Sequence, residues 1–188
     1  MPQQFVNTIS GLGIPGELFD DGPVRCEPYM LNSPESGGVL INPNVFGYAY
    51  TIFPGVQGQV QIGNPAGNGV FAGYLVTPKN HALRGVAGDT LAPTLQLPND
   101  IEASFLNMGS IIVVLPTNAP TSPIEIGYRV IYDNFTGVLN AIDPTLALPT
   151  GKSDGHAVVD RFLPNTTSDT SNTVTLAVIR VTTVLNSL

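Results

Sequence analysis

The stretch YRVIYDNFTGVLNAI, residues 128–142, decides the fold class. Two short runs rich in β-branched, aromatic and aliphatic residues flank the segment Asp133–Gly137. Asp and Asn suit the start of a turn, and Gly accepts the positive φ that closes it. The stretch therefore predicts a β-hairpin.

Runs of the same kind recur along the chain, and its 20 Gly and 17 Pro residues are spread between them as turn signals. This pattern is typical of sandwiches and barrels. We therefore expect an all-β fold: one β-sandwich or jelly-roll-like domain over residues 24–188. The strand-like runs lie at residues 24–31, 44–53, 58–62, 69–76, 93–97, 109–115, 156–163 and 173–182.

Three segments give more specific expectations. The run SIIVVL (110–115) does not alternate, which predicts a central strand buried on both faces. The alternating QVQI (59–62) predicts a half-buried strand. The segment LPNDIEASFLNM (97–108) predicts one short helix, capped by Asn99 or Asp100 and stopped by Gly109.

Residues 1–23 predict an extended N-terminal arm, because the Gly and Pro residues of GLGIPGELFDDGP (11–23) oppose a long helix. The arm is also rich in apolar residues, which predicts that it lies across a surface. That surface belongs either to a neighbouring subunit or to its own domain, and the sequence leaves both open. The predicted contact residues are Phe5, Val6, Ile9, Leu12, Ile14, Leu18 and Phe19.

The charge balance argues against nucleic acid as a partner. Asp and Glu number 14 against 7 Lys and Arg, which gives a net charge of -7, whereas phosphate binding needs clustered basic residues. Charged residues make up only 11% of the chain, below the ~25% usual for soluble domains. The low value indicates a surface covered largely by a partner. Lys79, His81 and Arg84 form a small cationic segment that meets either an acidic partner or solvent.

No residue set predicts catalysis. On the strand-like run 156–163, His156 and Asp160 share one face and Ser153 lies outside it, whereas the members of a catalytic triad rarely crowd one strand. GLGIPG (11–16) matches a dinucleotide pattern but lacks the flanking strand and helix. LALPTGKS (146–153) lacks the first glycine of a phosphate loop. We expect no enzyme activity and no cofactor.

Metal, disulfide and membrane roles are also disfavoured. His81 and His156 are far apart in sequence, and no cluster of metal ligands surrounds either of them. Cys26 is the only cysteine, which suits a reducing compartment and a packing role. The start MPQQFVNTIS does not have the pattern of a secretory signal, and no apolar run approaches the ~20 residues of a membrane helix.

The order of several phrases resembles the structural cement, or head decoration, proteins of tailed bacteriophages. The resemblance runs from about Gly13 to Val181, with two departures: residues 32–47 are longer and 164–172 look extended. The phrases are GIPGELFDDGPVRCEPYMLNS, GNGVFAGYLVTPKNHALRG, GDTLAPTLQLP, MGSIIVVLP, IGYRVIYDNFTGVLNAI, HAVVDRF and LAVIRV.

The resemblance implies a compact β-domain without enzymatic activity. Such a protein is made in the bacterial host cytoplasm and binds the outer surface of the assembled capsid of the virion. There it bridges neighbouring major capsid protein subunits and forms homodimers or homotrimers. The two departures leave the oligomeric state open.

The alternative is a carbohydrate-binding or host-attachment β-sandwich domain. Sugar binders usually stack aromatic rings on the sugar, but this chain has no Trp. Its Tyr residues occupy strand positions where core packing accounts for them.

Overall fold

The structure is a computed structural model that describes residues 14–19, 22–53, 55–56, 58–77, 96–116, 124–163 and 174–182. These residues form strands and turns without a helix, so the predicted all-β class is confirmed. No helix in these ranges is long and apolar enough to cross a membrane. The strands are β1 (Leu18–Phe19), β2 (Arg25–Leu31), β3 (Glu35–Ser36), β4 (Val39–Leu40), β5 (Asn44–Val45), β6 (Ala49–Ile52), β7 (Gln59–Ile62), β8 (Val70–Leu75), β9 (Gln96–Leu97), β10 (Glu102–Pro116), β11 (Arg129–Asp133), β12 (Leu139–Ile142), β13 (Lys152–Phe162) and β14 (Val174–Val181).

Five strands close into a ring. β2 pairs with β7 in parallel, and β7–β6 and β6–β8 are antiparallel pairs. The first half of β10 pairs with β2 on one side and with β8 on the other, which closes the circuit. Closure leaves these strands without a free edge along the paired residues.

The second half of β10 leaves the ring and enters a second sheet. Its order from β10 is β14, β13, β11 and β12, all antiparallel, and β1 also pairs with β10. The passage occurs at Gly109, whose φ of 125° is a conformation that L side chains rarely adopt. One long strand thus belongs to both layers. The more specific expectation, a β-sandwich or jelly-roll-like domain, stays a prediction.

Two apolar cores fill the structure. All five ring strands contribute to the ring core, made of Leu31, Phe46, Tyr50, Val60, Ile62, Ala72, Leu75 and Phe105. The interlayer core lies between the ring and the second sheet and includes Ala49, Phe71, Tyr74, Leu106, Ile111, Val113, Leu115, Val130, Tyr132, Ala157, Val159, Ala177 and Ile179. The strands β6, β8 and β10 therefore carry buried apolar side chains on both faces, whereas β7 carries them on the ring face.

The helix predicted over residues 97–108 is wrong. Residues 102–108 belong to β10, because their backbone groups pair with β2 and β8 to close the ring. Phe105 points into the ring core and Leu106 into the interlayer core, so two adjacent buried residues hid the alternation of a strand. Gly109, predicted to stop the helix, lies inside β10.

Four other predictions of local structure have different outcomes. In the hairpin, the Asp133 carboxylate accepts hydrogen bonds from the backbone amides of Phe135 and Thr136, and Gly137 has a φ of 67°, as predicted. The run at 110–115 is buried on both faces, also as predicted. The run at 44–53 is interrupted by a turn at Gly47, so it forms β5 and β6. The half-buried strand predicted at 59–62 is wrong, since Gln61 is buried as well.

Candidate functional site

The described part of the arm, residues 14–19, lies against its own domain. β1 pairs antiparallel with β10 through Leu18 opposite Ile111 and Phe19 opposite Ser110. Leu18 packs against the interlayer core, whereas Ile14 is 44% exposed. This short segment therefore follows the second of the two alternatives, an arm folded back on its own domain. The division into an arm, 1–23, and a domain, 24–188, stays a prediction.

Gly16 fixes this segment between β10 and the residues that follow β8. Its amide donates to the carbonyl of Ile112 on β10, and its carbonyl accepts from the amide of Thr77, both at 2.8 Å. The Thr77 hydroxyl also donates to the Pro15 carbonyl at 2.9 Å. Gly16 has a φ of 86°, and a Cβ there would overlap the Phe46 Cβ and the Thr77 hydroxyl. A glycine is therefore required at this position.

These contacts bring two chain positions together. Residues 1–13 precede Ile14, and residues 78–95 follow Thr77, which is bonded to Gly16 and Pro15. We call the group of Ile14, Pro15, Gly16 and Thr77 the arm base. Both segments with predicted contact residues join the described structure at the arm base.

The remaining predicted contact residues fall outside the described part of the chain. Phe5, Val6, Ile9 and Leu12 precede residue 14, and Lys79, His81 and Arg84 lie between residues 77 and 96. Their role in binding stays a prediction.

Phe19 lies within a small ionic cluster on the second sheet. The Arg161 guanidinium is 4.9 Å from the centre of the Phe19 ring, a cation–π distance. Asp160 holds this guanidinium at 2.9 Å and that of Arg180 at 3.6 Å. Arg180 is paired across the strands with Ser110, the partner of Phe19. The aromatic ring of Phe19 thus has a charged, solvent-exposed border.

Ser153, His156 and Asp160 form no catalytic arrangement. All three lie on β13. The Ser153 hydroxyl donates to Asn134, and the Asp160 carboxylate pairs with arginines, so neither is bonded to His156. His156 is exposed with a φ of 52°, and its backbone amide donates to the Asp154 carboxylate. Ser153 lies inside this strand, whose start the sequence had placed at His156.

Neither the thiol of Cys26 nor a cluster of metal ligands among the described residues forms a candidate site. Cys26 is half-buried and packs against the interlayer core, and burial raises the pKa of its thiol, which disfavours the reactive thiolate. Among the described residues, no group of three or more His, Cys, Asp or Glu side chains is placed to hold a metal ion.

The tyrosines serve the cores. Tyr50, Tyr74 and Tyr132 are buried, and burial raises the pKa of each hydroxyl. The Tyr74 hydroxyl donates to the Gly155 carbonyl on the second sheet at 2.6 Å. As expected, packing accounts for these rings, which are not available to stack on a sugar.

A polar pocket is the site that sequence reasoning missed. It measures about 510 Å³ and is lined in part by Ser33, Glu35, Gln61, Asn99 and Asp100. Asn99 and Asp100 were interpreted as helix caps, and Gln61 as a solvent-facing strand residue. Only the pairing of β2, β7 and β10 brings these distant positions together, so no local sequence signal marks them.

Comparisons with known proteins show the family and the fold of this chain. No curated protein matches the sequence. A chain from the solved structure titled "The capsid of Myoviridae Phage XM1" superimposes with a TM-score of 0.54 at 16% identity, covering 95% of this chain and 97% of that one. At this identity the match shows a shared fold. The family of structural cement proteins (E217 gp24/Pam3 gp6) matches residues 1–182, so the chain belongs to the structural cement protein family.

Proposed function

We propose that this chain binds the outside of the assembled phage head, bridges neighbouring major capsid protein subunits and so stabilises the shell. Its family is a structural one, not a class of enzymes, which supports a role without catalysis. The single observation that carries the proposal is the family match over residues 1–182. The arm base supports it as the place where residues 1–13 end and residues 78–95 begin, the two segments with predicted contact residues.

This convergence favours one continuous contact surface. Apolar contacts from residues 5–12 supply affinity, because burying one large aliphatic or aromatic side chain is worth ~1.5–3 kcal/mol. Lys79, His81 and Arg84 supply positive charge within a chain of net charge -7. A partner surface with an apolar groove beside an acidic patch complements both segments.

Bridging makes weak contacts sufficient. A copy that touches two capsid subunits gains from the high effective concentration of the second site once the first is bound. Self-association into a homodimer or homotrimer increases this effect, and it places the copies at capsid symmetry axes. The proposed location is the outer surface of the virion, after synthesis in the host cytoplasm.

The test is co-sedimentation of the purified protein with phage shells stripped of minor proteins, with copy number measured on quantitative gels. The structure shows which arm deletion is informative. Removing residues 2–19 also removes β1 and the Gly16 bonds, so it perturbs the domain itself. Removing residues 2–13 leaves β1 and the arm base in place.

We expect saturable binding of the intact chain at a fixed ratio to the major capsid protein. The 2–13 deletion should weaken it at least about tenfold, because several apolar contacts are lost at once. The triple variant Phe5→Ser, Ile9→Ser, Leu12→Ser should behave alike.

A matched control replaces three exposed apolar residues elsewhere: Ile126→Ser, Leu146→Ser, Leu148→Ser. This control should bind as the intact chain does. If the intact chain binds neither compact nor expanded shells, the proposed function is wrong. If both triple variants bind equally, the arm is not the contact.

A further inference from the structure

The polar pocket lies on the outer face of the five-strand ring. Val60 and Ile62 on β7 point into the ring core, so Gln61 between them points outward. Phe53, at the end of β6, and the segment that follows β2 complete one side of the pocket. Asn99 and Asp100, which precede β10, form the other side.

A hydrogen-bond network holds the wall of this pocket. The Asn99 side chain makes four bonds: its oxygen accepts from the Ser33 amide and the Asn44 side chain, and its nitrogen donates to the Ser33 carbonyl and the Glu35 carboxylate. The Ser33 hydroxyl donates to Asn44 and accepts from the Ile62 amide. These bonds join Asn99 to the segment 33–35, to Asn44 and, through Ser33, to Ile62 on β7, so the wall is set before any ligand arrives.

Gln61, which also lines the pocket, has a buried side-chain amide that makes no donor contact among the described residues. Only 3% of its surface is exposed, and its side-chain nitrogen has no hydrogen-bond partner among the described residues. A buried amide without a partner costs free energy, so such groups call for a ligand or another explanation. Gln61 is among the residues that line the pocket, so an acceptor on a ligand there is a candidate partner for this nitrogen.

The pocket is also acidic. Glu35 and Asp100 are exposed at its border, and neither forms an ion pair with any described residue. None of the described side chains that line the pocket is basic. Asp100 holds a φ of 63°, a conformation that Asp and Asn adopt more readily than other L residues.

We propose that this pocket receives a basic side chain, an arginine guanidinium or a lysine ammonium, on a peptide segment of the capsid shell. The cation meets the carboxylates of Glu35 and Asp100, and a carbonyl of the same segment accepts from Gln61. The proposal rests on the proposed function for the identity of the partner. The chemistry of the ligand follows from the pocket alone.

A neutral sugar fits less well. Phe53 is the one aromatic residue among those that line the pocket, and it is half-buried. The Glu35 and Asp100 carboxylates, which form no ion pair within the described ranges, favour a cation over a neutral ligand, because opposite charges attract most where water is partly excluded.

The first experiment titrates the intact protein with N-acetyl-arginine amide and N-acetyl-lysine amide, followed by the NMR signals of its side-chain amides. We expect saturable shifts of the Gln61 and Asn99 signals with at least one probe. The double variant Glu35→Gln, Asp100→Asn should weaken binding about tenfold, as expected for two partly exposed ion pairs. Gln keeps the acceptor for Asn99, and Asn tolerates the positive φ, so the variant preserves the fold.

The matched control removes the same charge elsewhere, with Glu125→Gln and Asp143→Asn, and should bind the probes as the unaltered protein does. Absence of any Gln61 shift with both cations overturns the proposal. So does equal binding by the two double variants, or a larger response to methyl N-acetylglucosaminide than to the cations.

The second experiment compares the same variants in shell binding. We expect a loss of about tenfold for Glu35→Gln, Asp100→Asn and none for the control. If the shells bind both variants equally, the pocket is not a capsid contact, although the proposed function stands. If the unaltered protein does not bind shells, the proposed function fails, and the peptide titration still decides whether the pocket binds a basic group.

Discussion

The Tyr74 hydroxyl bonds one layer to the other, and the variant Tyr74→Phe tests that bond. Tyr74 on β8 is fully buried, and it donates a 2.6 Å hydrogen bond to the Gly155 carbonyl on β13. The variant keeps the ring and its packing but leaves a buried carbonyl without this donor. An unsatisfied buried group of this kind costs about 1–3 kcal/mol.

In a domain of this size, 1 kcal/mol shifts Tm by roughly 2–4 °C. A loss of about 2 kcal/mol therefore lowers Tm by about 4–8 °C, measured by circular dichroism with urea unfolding as a second readout. Tyr48→Phe is the matched control: Tyr48 is half-buried, and its hydroxyl has no hydrogen bond within the described ranges. The control should melt close to the unaltered protein.

A second substitution makes the test specific to this contact. A Cβ at Gly155 would overlap the Tyr74 hydroxyl, while the next atom, the Val130 carbonyl oxygen, is 3.1 Å away. Gly155→Ala should therefore cost about 1–3 kcal/mol, as overpacking does. It should cost less in the Tyr74→Phe background, where the overlapping oxygen is gone, giving a coupling of about 0.5 kcal/mol or more.

Two results would refute this reasoning. One is a Tyr74→Phe variant whose Tm equals that of the Tyr48→Phe variant. The other is a Gly155→Ala cost that is the same in both backgrounds, which means that the two groups do not touch.

Three further outcomes are expected. Burial raises the pKa of Asp133, but hydrogen bonds, chiefly from Lys152, outweigh this effect and lower that pKa to about 2. The ionised carboxylate therefore stabilises the fold above about pH 4, and this stability is lost as the pH falls towards 2. The variant Asp133→Asn should flatten the acid side of a Tm–pH profile. Burial raises the pKa of Tyr74 well above its usual value, so its contribution is present below the unfolded pKa near 10 and lost at higher pH; Tyr74→Phe should reduce the alkaline fall in Tm. Gly73→Ala should cost about 3 kcal/mol in urea unfolding, because its φ is 141° and a Cβ would overlap a β10 backbone carbonyl, whereas Gly67→Ala, with open space around it, should cost about 1 kcal/mol.

Local patterns predicted the elements that depend on local chemistry. The hairpin at 128–142 follows from the Asp133 carboxylate, which bonds the turn amides, and from Gly137, which takes a positive φ. In the run at 110–115, Ile111, Val113 and Leu115 enter the interlayer core, and Ile112 between them is also buried, so apolar residues occupy consecutive positions. Each signal lies within a few residues, where sequence reasoning is strongest.

The helix prediction at 97–108 failed for a non-local reason. Its cap and stop signals are local, and the adjacent Phe105 and Leu106, which serve different cores on opposite faces of one strand, hide the alternation of β10. Asn99 looked like a cap, but its side chain joins Ser33, Asn44 and Glu35, more than fifty residues away.

The sequence by itself determined the all-β class, the hairpin, the acidic balance and the resemblance to phage cement proteins. These follow from side-chain periodicity, turn chemistry and ordered phrases, all of which are written along the chain. The tertiary structure decided that β10 joins two layers, that Gly16 meets Thr77 and that Gln61 is buried in an acidic pocket. Each depends on backbone pairing between distant segments. The residues of a strand do not specify by themselves which other strand will pair with its backbone groups.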